Sequence, residues 1–340
     1  MGAEPAMRVP FAELQQTLEK VLLRYGFSAE RASLCATLFA KASLDGVASH
    51  GLNRFPLFLK LVEEGYIKVA AEPKLLGSFG PFERWDGQFG PGPLNAWHAM
   101  ERAISLAQKS GLGCVALRNT NHWMRAGNYG WQAVEAGCIG ICFTNTKPNM
   151  PAWGGSEPVL GNNPLVVAIP RKKGPIVLDM ALSQFSYGKI SSYLCKGEQL
   201  PYEGGFGENG ELTKDPGKIL EKELGLPVGL WKGAGFSLVL DILAAVLADG
   251  DATHEIGRQE EETGISQVFL CFDIRKLGIE EYPEEKVETI IQNLKASATF
   301  EGSKVHYPGE QSLAARQHNL QHGVPVDREI WQEVLAHLPS

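Results

Sequence analysis

The sequence lacks the glycine-rich loops with which most nucleotide-binding proteins hold phosphate groups. No G-x-x-x-x-G-K-[ST] occurs in its 340 residues, and no glycine fingerprint joins a predicted buried strand to a helix. The nearest fragment at the start of a predicted helix, Gly233-Ala-Gly235, follows Trp231 and Lys232. Its glycines indicate either a helix that starts close against other backbone or a phosphate site at that helix N-terminus. Neither a P-loop protein nor a Rossmann fold is therefore expected.

Cysteine is also scarce, and no two cysteines form a C-x-x-C pair. Four of the six lie in apolar surroundings, where a free thiol packs as a small hydrophobic group. A disulfide framework is not expected in a chain of this length. His318 and His322 have helical spacing but no third ligand nearby, and no nucleophile motif is present. We expect no metal site.

Long apolar runs and an excess of positive charge are missing as well. The longest apolar stretch, residues 236–248, is interrupted by Asp241 and is too short for the ~30 Å hydrocarbon core of a membrane. The formal net charge is −7, which argues against a nucleic-acid partner. Residues 1–10 lack the apolar core of a secretion signal. We therefore expect a cytoplasmic protein without a membrane or nucleic-acid partner.

Helical and strand patterns alternate along the chain, which predicts an α/β or α+β fold. The helix at residues 235–247 is expected to be buried, and residues 197–216 are expected to form a surface loop. Helices are predicted at residues 11–25, 29–47, 56–64, 94–110, 129–135, 235–247, 284–295 and 327–337. Strands are predicted at residues 113–118, 138–143, 165–169, 176–179 and 266–273.

Two polar segments lie in surroundings too apolar and too rich in glycine for ordinary surface loops. The first is Ser49-His-Gly-Leu-Asn-Arg-Phe-Pro56, between two predicted helices. His50 can exchange a proton near neutral pH, and Arg54 can hold a carboxylate with two parallel hydrogen bonds. The alternative is a capping serine, a structural histidine and a surface arginine. These residues alone leave the two interpretations evenly balanced.

The second polar segment, residues 119–130, follows a buried strand, a position at which α/β enzymes place ligands. His122 and Arg125 are its reactive side chains. A loop histidine with satisfied hydrogen bonds is the equally weighted alternative. A third segment, residues 151–164, contributes Trp153 and several glycines, but by itself it is better explained as a packed turn.

Together these segments resemble the malate/L-lactate dehydrogenase family, whose fold is not a Rossmann fold. The resemblance covers nearly the whole chain. The run His122-Trp-Met-Arg125 and the loop Gly204-Gly-Phe206 are most similar to the branch that acts on 2,3-diketo-L-gulonate. The matching runs are Ser49–Pro56, Arg118-Asn-Thr-Asn-His-Trp-Met-Arg125, Gly161-Asn-Asn-Pro-Leu165, Asp179-Met-Ala181, Phe185-Ser-Tyr-Gly188, Leu212-Thr-Lys-Asp-Pro-Gly217 and Trp231-Lys-Gly233.

The resemblance implies a mixed or mostly antiparallel sheet that carries the cofactor, with a helical domain built from both ends of the chain. We expect a helical domain of residues 1–70 joined by residues 280–340. Residues 71–279 would form the α/β domain that binds cofactor and substrate. The resemblance also implies a homodimer with its cleft near the subunit interface.

The resemblance further implies the site residues. His50 would donate the proton, with His122 as the second candidate, while Arg54 would fix the substrate carboxylate beside Ser49. Asp179 would hold the cofactor ribose or orient a histidine, and Lys232 would meet the pyrophosphate or a ribose. The cofactor, NADH with NADPH as the alternative, would be bound by Ile176, Val177, Leu178, Asp179, Met180, Ala181, Trp231, Lys232, Gly309, Glu310 and Gln311.

The implied reaction is the reduction of a small 2-oxo acid, 2,3-diketo-L-gulonate, to 3-keto-L-gulonate. Residues 147–150, near the presumed site, match no motif, so malate- or lactate-type and cyclic-imine-acid reduction by the same fold stay open. A cofactor-free lyase or isomerase that uses His50 and His122 as an acid/base pair is the alternative from another class.

Overall fold

The computed structural model describes residues 7–279 and 284–338 of the chain. Its helices are α1 (Phe11–Arg24), α2 (Ala29–Leu44), α3 (Phe55–Glu63), α4 (Gly92–Ser110), α5 (Gly127–Glu135), α6 (Tyr187–Lys196), α7 (Pro216–Lys222), α8 (Trp231–Ala248), α9 (Thr253–Ile256), α10 (Glu284–Lys295), α11 (Glu310–His322) and α12 (Arg328–Ala336). Its strands are β1 (Met7–Val9), β2 (Lys74–Phe79), β3 (Phe82–Asp86), β4 (Leu112–Asn121), β5 (Ile139–Thr144), β6 (Met150–Pro151), β7 (Pro158–Leu160), β8 (Leu165–Ile169), β9 (Ile176–Met180), β10 (Gly205–Phe206), β11 (Leu212–Thr213), β12 (Thr263–Phe272) and β13 (Val324–Val326).

Seven strands form the central sheet, in the order β2-β3-β4-β12-β5-β8-β9. β3 and β4 run parallel, and the other neighbouring pairs in this sheet are antiparallel. The ten-residue strands β4 and β12 lie side by side within the sheet, whereas β9 lies at its edge. A Rossmann sheet is parallel throughout its nucleotide-binding half. The predicted α/β fold with a mixed, mostly antiparallel sheet is therefore confirmed.

A separate apolar core is built from both ends of the chain. Helices α1, α2, α3 and α12 meet around side chains such as Leu18, Phe39, Phe58 and Trp331, all of them buried. The short strands β1 and β13 pair antiparallel and tie the two ends together. The domain bounds near residues 70 and 280 stay a prediction. Residues 1–6, 280–283 and 339–340 of those domains lie outside the described residues.

Helix α8 departs from the expectation of a buried helix. One face, which includes Ala234, Leu240 and Ala244, packs on the sheet. The other face carries apolar side chains that are 41% to 70% exposed, namely Phe236, Leu238, Val239, Ile242, Leu243 and Val246. Because the helix is apolar all round, its sequence does not show which face lacks a covering element. Its length and composition would also allow it to cross a membrane.

The predicted surface loop at residues 197–216 contains the antiparallel pair of β10 and β11 and leads into α7. Within it, Gly205-Phe-Gly-Glu-Asn-Gly210 has the G-x-G-x-x-G spacing. This run forms the hairpin and joins no strand of the central sheet to a helix, so it is not a dinucleotide fingerprint. Helices α6, α7, α9 and α11 have no counterpart among the predicted helices.

Candidate active site

A cavity of about 710 Å³ opens between the loops of the helical core and the central sheet. Its walls come from the turn after α2, the loop after β4, the strand β9 and the segments that precede α6 and α11. A cleft that gathers polar side chains from several elements is the usual setting of an enzyme site. All four residues predicted to be catalytic line it together: Ser49, His50, Arg54 and His122.

The turn that carries three of these side chains is held against α2. Two short 3-10 turns, Ala48–His50 and Leu52–Arg54, follow one another before α3. Gly51 between them approaches Ser43 so closely that a Cβ would fall 2.2 Å from the Ser43 Oγ. The same hydroxyl oxygen accepts a hydrogen bond of 2.8 Å from the Leu52 N–H. A side chain at residue 51 would displace the turn, so packing against Ser43 explains why residue 51 is a glycine.

The imidazole rings of His50 and His122 lie nearly parallel, with their centroids 5.8 Å apart. Nδ1 of His122 accepts a hydrogen bond of 2.9 Å from the Met124 N–H, so the neutral ring carries its proton on Nε2. Burial lowers the pKa of His122 well below its usual value, and the positive charges of Arg54 and His50 lower it further. His122 is therefore a neutral hydrogen-bond donor at neutral pH.

His50 lies in a different electrostatic environment. Burial has the largest effect and lowers its pKa, while the carboxylate of Asp179 raises it and the charges of Arg54 and Arg125 lower it. Its Nδ1 lies 3.1 Å from the Ser49 Oγ. Of the two histidines, His50 is the one that a nearby carboxylate helps to keep protonated.

A buried ionic network holds Asp179 in place. Its Oδ2 accepts a hydrogen bond of 2.9 Å from the Gly127 N–H and lies 3.8 Å from Nε of Arg125. Arg125 also pairs with the fully buried Asp45, and Arg316 donates hydrogen bonds of 2.6 and 2.7 Å to the same carboxylate. Asp45 and Arg316 were not among the predicted site residues, because no local pattern links residues 271 positions apart.

The edge strand β9 and the start of α11 form the wall predicted to bind the cofactor. The outer backbone groups of an edge strand are open to a ligand. The Val177 N–H points outward, to the carbonyl oxygen of Pro308 at 3.0 Å. Gly309, with a φ of 90°, approaches this strand so closely that a Cβ would lie 2.9 Å from the Val177 nitrogen. The predicted residues that line this wall are Val177, Leu178, Asp179, Ala181, Gly309 and Gln311.

This wall fits an extended dinucleotide. Helix α11 begins directly after Gly309, and the free N–H groups at a helix N-terminus suit a pyrophosphate. The other predicted cofactor residues lie off the wall. Ile176, Met180 and Glu310 are neighbours of lining residues, and Trp231 and Lys232 begin α8, where Trp231 is 62% exposed. The cofactor role of these five residues, and of the six that line the wall, stays a prediction.

The cavity has two ends of different character. The inner end comprises His50, His122, Arg125 and Asp179. The outer end comprises Lys147, Asn149, Glu223 and Glu262, none of which sequence analysis selected. The Lys147 N–H donates a hydrogen bond of 3.1 Å to Glu262, and its Nζ lies 3.3 Å from a Glu223 oxygen. Lys147 and Asn149 lie in the segment 147–150, which matches no family motif, and nothing in the sequence points to Glu223 or Glu262. These loops are remote in the sequence and come together only in the folded chain.

A family model described as malate/L-lactate dehydrogenase matches residues 9–335. The chain belongs to the malate/L-lactate dehydrogenase family. A curated relative from Escherichia coli (strain K12), named 2,3-diketo-L-gulonate reductase, is 43% identical to this dehydrogenase over 333 residues. The match covers 97% of this chain and 100% of the relative.

Solved structures agree with this dehydrogenase fold. Malate dehydrogenase from Pyrococcus horikoshii OT3 is 28% identical, with a TM-score of 0.89 and coverage of 99% of this chain and 97% of that one. Sulfolactate dehydrogenase from Methanocaldococcus jannaschii is 30% identical, with a TM-score of 0.85 and coverage of 96% and 95%. The predicted family is confirmed. The chain is an oxidoreductase that uses a nicotinamide cofactor.

Proposed function

We propose that this dehydrogenase reduces 2,3-diketo-L-gulonate to 3-keto-L-gulonate with NADH, and that His50 donates the proton. The observation that carries the substrate is the relative named for this reaction, 43% identical over its whole length. The inner end of the cavity supports the reaction type, since it places an arginine beside two histidines and next to a wall that fits a dinucleotide.

The side chains of the cavity would divide the work as follows. Arg54 forms no salt bridge with a described residue, so it is free to hold the substrate carboxylate and aim the adjacent carbonyl. His122 donates a hydrogen bond from Nε2 to the carbonyl oxygen and stabilises the negative charge that develops there. The reduced nicotinamide, when bound, supplies the hydride to the carbonyl carbon. His50 then transfers its proton to that oxygen.

The contacts of the two histidines support His50 as the donor. Burial lowers the pKa of His50, and Asp179 offsets part of this lowering, which favours reprotonation after each turnover. Within the described residues, no carboxylate raises the pKa of His122, which burial and two positive charges lower. Its Nδ1 already accepts a hydrogen bond from the Met124 N–H. A neutral His122 still serves as a hydrogen-bond donor to the substrate.

NADH is proposed over NADPH because of the family resemblance. The wall formed by β9 and the start of α11 would hold the ribose and the pyrophosphate, with Gly309 keeping the backbone close to the strand. We expect kcat/KM for NADH to exceed that for NADPH by about tenfold or more, because a site without a positively charged partner for the 2′-phosphate binds NADPH less well. Steady-state kinetics with both cofactors would measure the ratio, and equal values would contradict the preference.

We also propose a cytoplasmic homodimer in which a second copy covers α8. Contiguous exposed apolar surface is typical of protein interfaces, and Trp231 and Lys232 at the start of the helix would then lie at the subunit boundary. The double variant Val239→Glu/Val246→Glu should sediment as a monomer. Leu320→Glu on α11 introduces the same charge at a side chain that is 57% exposed and should leave the dimer intact. A monomeric wild-type protein would contradict the proposal, and cell fractionation tests the compartment.

The reaction is tested by following NADH absorbance with 2,3-diketo-L-gulonate, pyruvate and oxaloacetate in parallel. Turnover of the first substrate with the highest kcat/KM is the expected result. Turnover of pyruvate or oxaloacetate alone would overturn the substrate and keep the reaction class. If no 2-oxo acid oxidises NADH or NADPH, the proposed reaction is wrong.

A further inference from the structure

We propose that the outer end of the cavity is a subsite for the neutral, hydroxyl-bearing tail of the substrate, and that Glu262 makes this dehydrogenase reject 2-oxo acids with a second negative charge. This inference rests on the proposed function and deepens it. It assigns the choice of substrate to Glu262 and Asn149, which lie apart from the reacting atoms.

Glu262 is a carboxylate with a free oxygen at the cavity wall. The one hydrogen bond that the described residues give it comes from the Lys147 N–H, at 3.1 Å, to Oε2. Burial, with a smaller contribution from Glu223, raises the pKa of Glu262 above its usual value, although that N–H and the charges of Arg54 and Lys147 oppose the rise. A substrate hydroxyl that donates to the second oxygen would replace the water removed by burial.

Asn149, which lines the same end, carries a second acceptor whose oxygen is shielded from solvent. Its side chain is 8% exposed, and its Oδ1 has no hydrogen-bond partner among the described residues. Its Nδ2 donates to Asn162 at 3.3 Å, and its backbone oxygen accepts a hydrogen bond from the Tyr187 hydroxyl, so the side chain is held in position. A buried acceptor without a donor destabilises a protein unless a ligand or water satisfies it.

The distribution of charge explains the selectivity. Arg54 lines the same cavity, and its positive charge lowers the pKa of both histidines and of Glu262, so it acts on both ends. At the outer end the Lys147 ammonium pairs with Glu223, whereas Glu262 receives only the Lys147 backbone N–H, so two carboxylates face one ammonium group. A substrate bound to Arg54 through one carboxylate would therefore point its tail at acceptors. Hydroxyl groups are attracted there, while a second carboxylate or sulfonate is repelled.

The test compares kcat/KM for 2,3-diketo-L-gulonate and for oxaloacetate, with pyruvate as the substrate that has no tail. In Glu262→Gln, the ratio of the diketogulonate value to the oxaloacetate value should fall about tenfold or more, as expected for a charge-assisted hydrogen bond and a lost repulsion. Glu261→Gln removes the same charge one residue away, outside the cavity, and should leave the ratio unchanged.

A second variant guards against an effect on folding. Asn149→Ala should lower the ratio in the same direction, and its melting temperature shows whether the fold is kept. The proposal is overturned if Glu262→Gln and Glu261→Gln give the same ratio, or if the wild type prefers oxaloacetate. In both cases turnover of 2,3-diketo-L-gulonate with NADH by the wild type would show that the proposed reaction itself stands. Absence of that turnover in the wild type would instead overturn the proposed function.

Discussion

The two ends of the cavity differ in how firmly the protein holds them. At the inner end, Arg125 is 3% exposed and its partner Asp45 is fully buried. At the outer end, the paired side chains of Lys147 and Glu223 are 44% and 42% exposed. Electrostatic effects are larger where water is excluded. We expect the buried Arg125–Asp45 pair to matter for proton transfer, and the half-exposed Lys147–Glu223 pair beside Glu262 to matter for which tail is accepted.

The largest expected effect is on proton transfer at the inner end. His50→Ala should lower kcat by about 10²- to 10⁴-fold, the usual cost of losing a general acid. NADH binding, followed by fluorescence, should be kept, and His254→Ala on the exposed surface should have no effect. If His50→Ala keeps the wild-type fall in rate at high pH while His122→Ala loses it, the assignment of the two histidines is reversed.

The buried ionic network should matter next. Asp45→Asn leaves Arg125 and Arg316 without their shared carboxylate and should lower the free energy of unfolding by about 3–5 kcal/mol. Urea unfolding measures this loss. The same change at Asp249, whose side chain is 66% exposed beside Arg118, should cost less than about 1 kcal/mol. Equal losses at the two positions would show that burial does not separate these ion pairs.

Asp179→Asn sharpens the role of the carboxylate beside His50. A proton donor must carry its proton, so the rate of reduction falls as pH rises through the pKa of His50. Asp179 raises that pKa, so its removal should move the fall to lower pH and reduce kcat at pH 7 about tenfold. Asp179→Glu keeps a carboxylate and should partly restore the profile. An unchanged pH profile with a higher KM for NADH would show that Asp179 holds the ribose instead.

The smallest expected effect is that of ionic strength, which should act differently on the two ends of the cavity. Raising ionic strength screens exposed charges more than buried ones. The preference for 2,3-diketo-L-gulonate over oxaloacetate depends in part on the half-exposed charges of Lys147 and Glu223, so it should weaken about two- to threefold at high salt. The pH at which the reduction rate falls should change little. A large salt effect on that pH would contradict the contrast between the two ends.

Much of the fold follows from local patterns. Helices α1 and α10 and the hairpin of β8 and β9 lie within a residue or so of their predicted bounds, because apolar spacing is a property of each segment alone. Helix α8 shows the limit. Its uniformly apolar sequence predicts burial, but whether a face is covered depends on elements far away in the chain or in a second copy.

The features of the site also fall into two groups, those predictable from the sequence and those visible only in the structure. The sequence by itself determined the family, the His50 and His122 segments and the strand that lines the cofactor wall, since each is a contiguous run of residues. Only the tertiary structure decided that Asp45 and Arg316 share one buried ion network, and that Lys147, Glu223 and Glu262 meet at the outer end. The physical reason is that electrostatic pairing depends on distance in space, and loops remote in sequence approach one another only after the sheet and the helical core have formed.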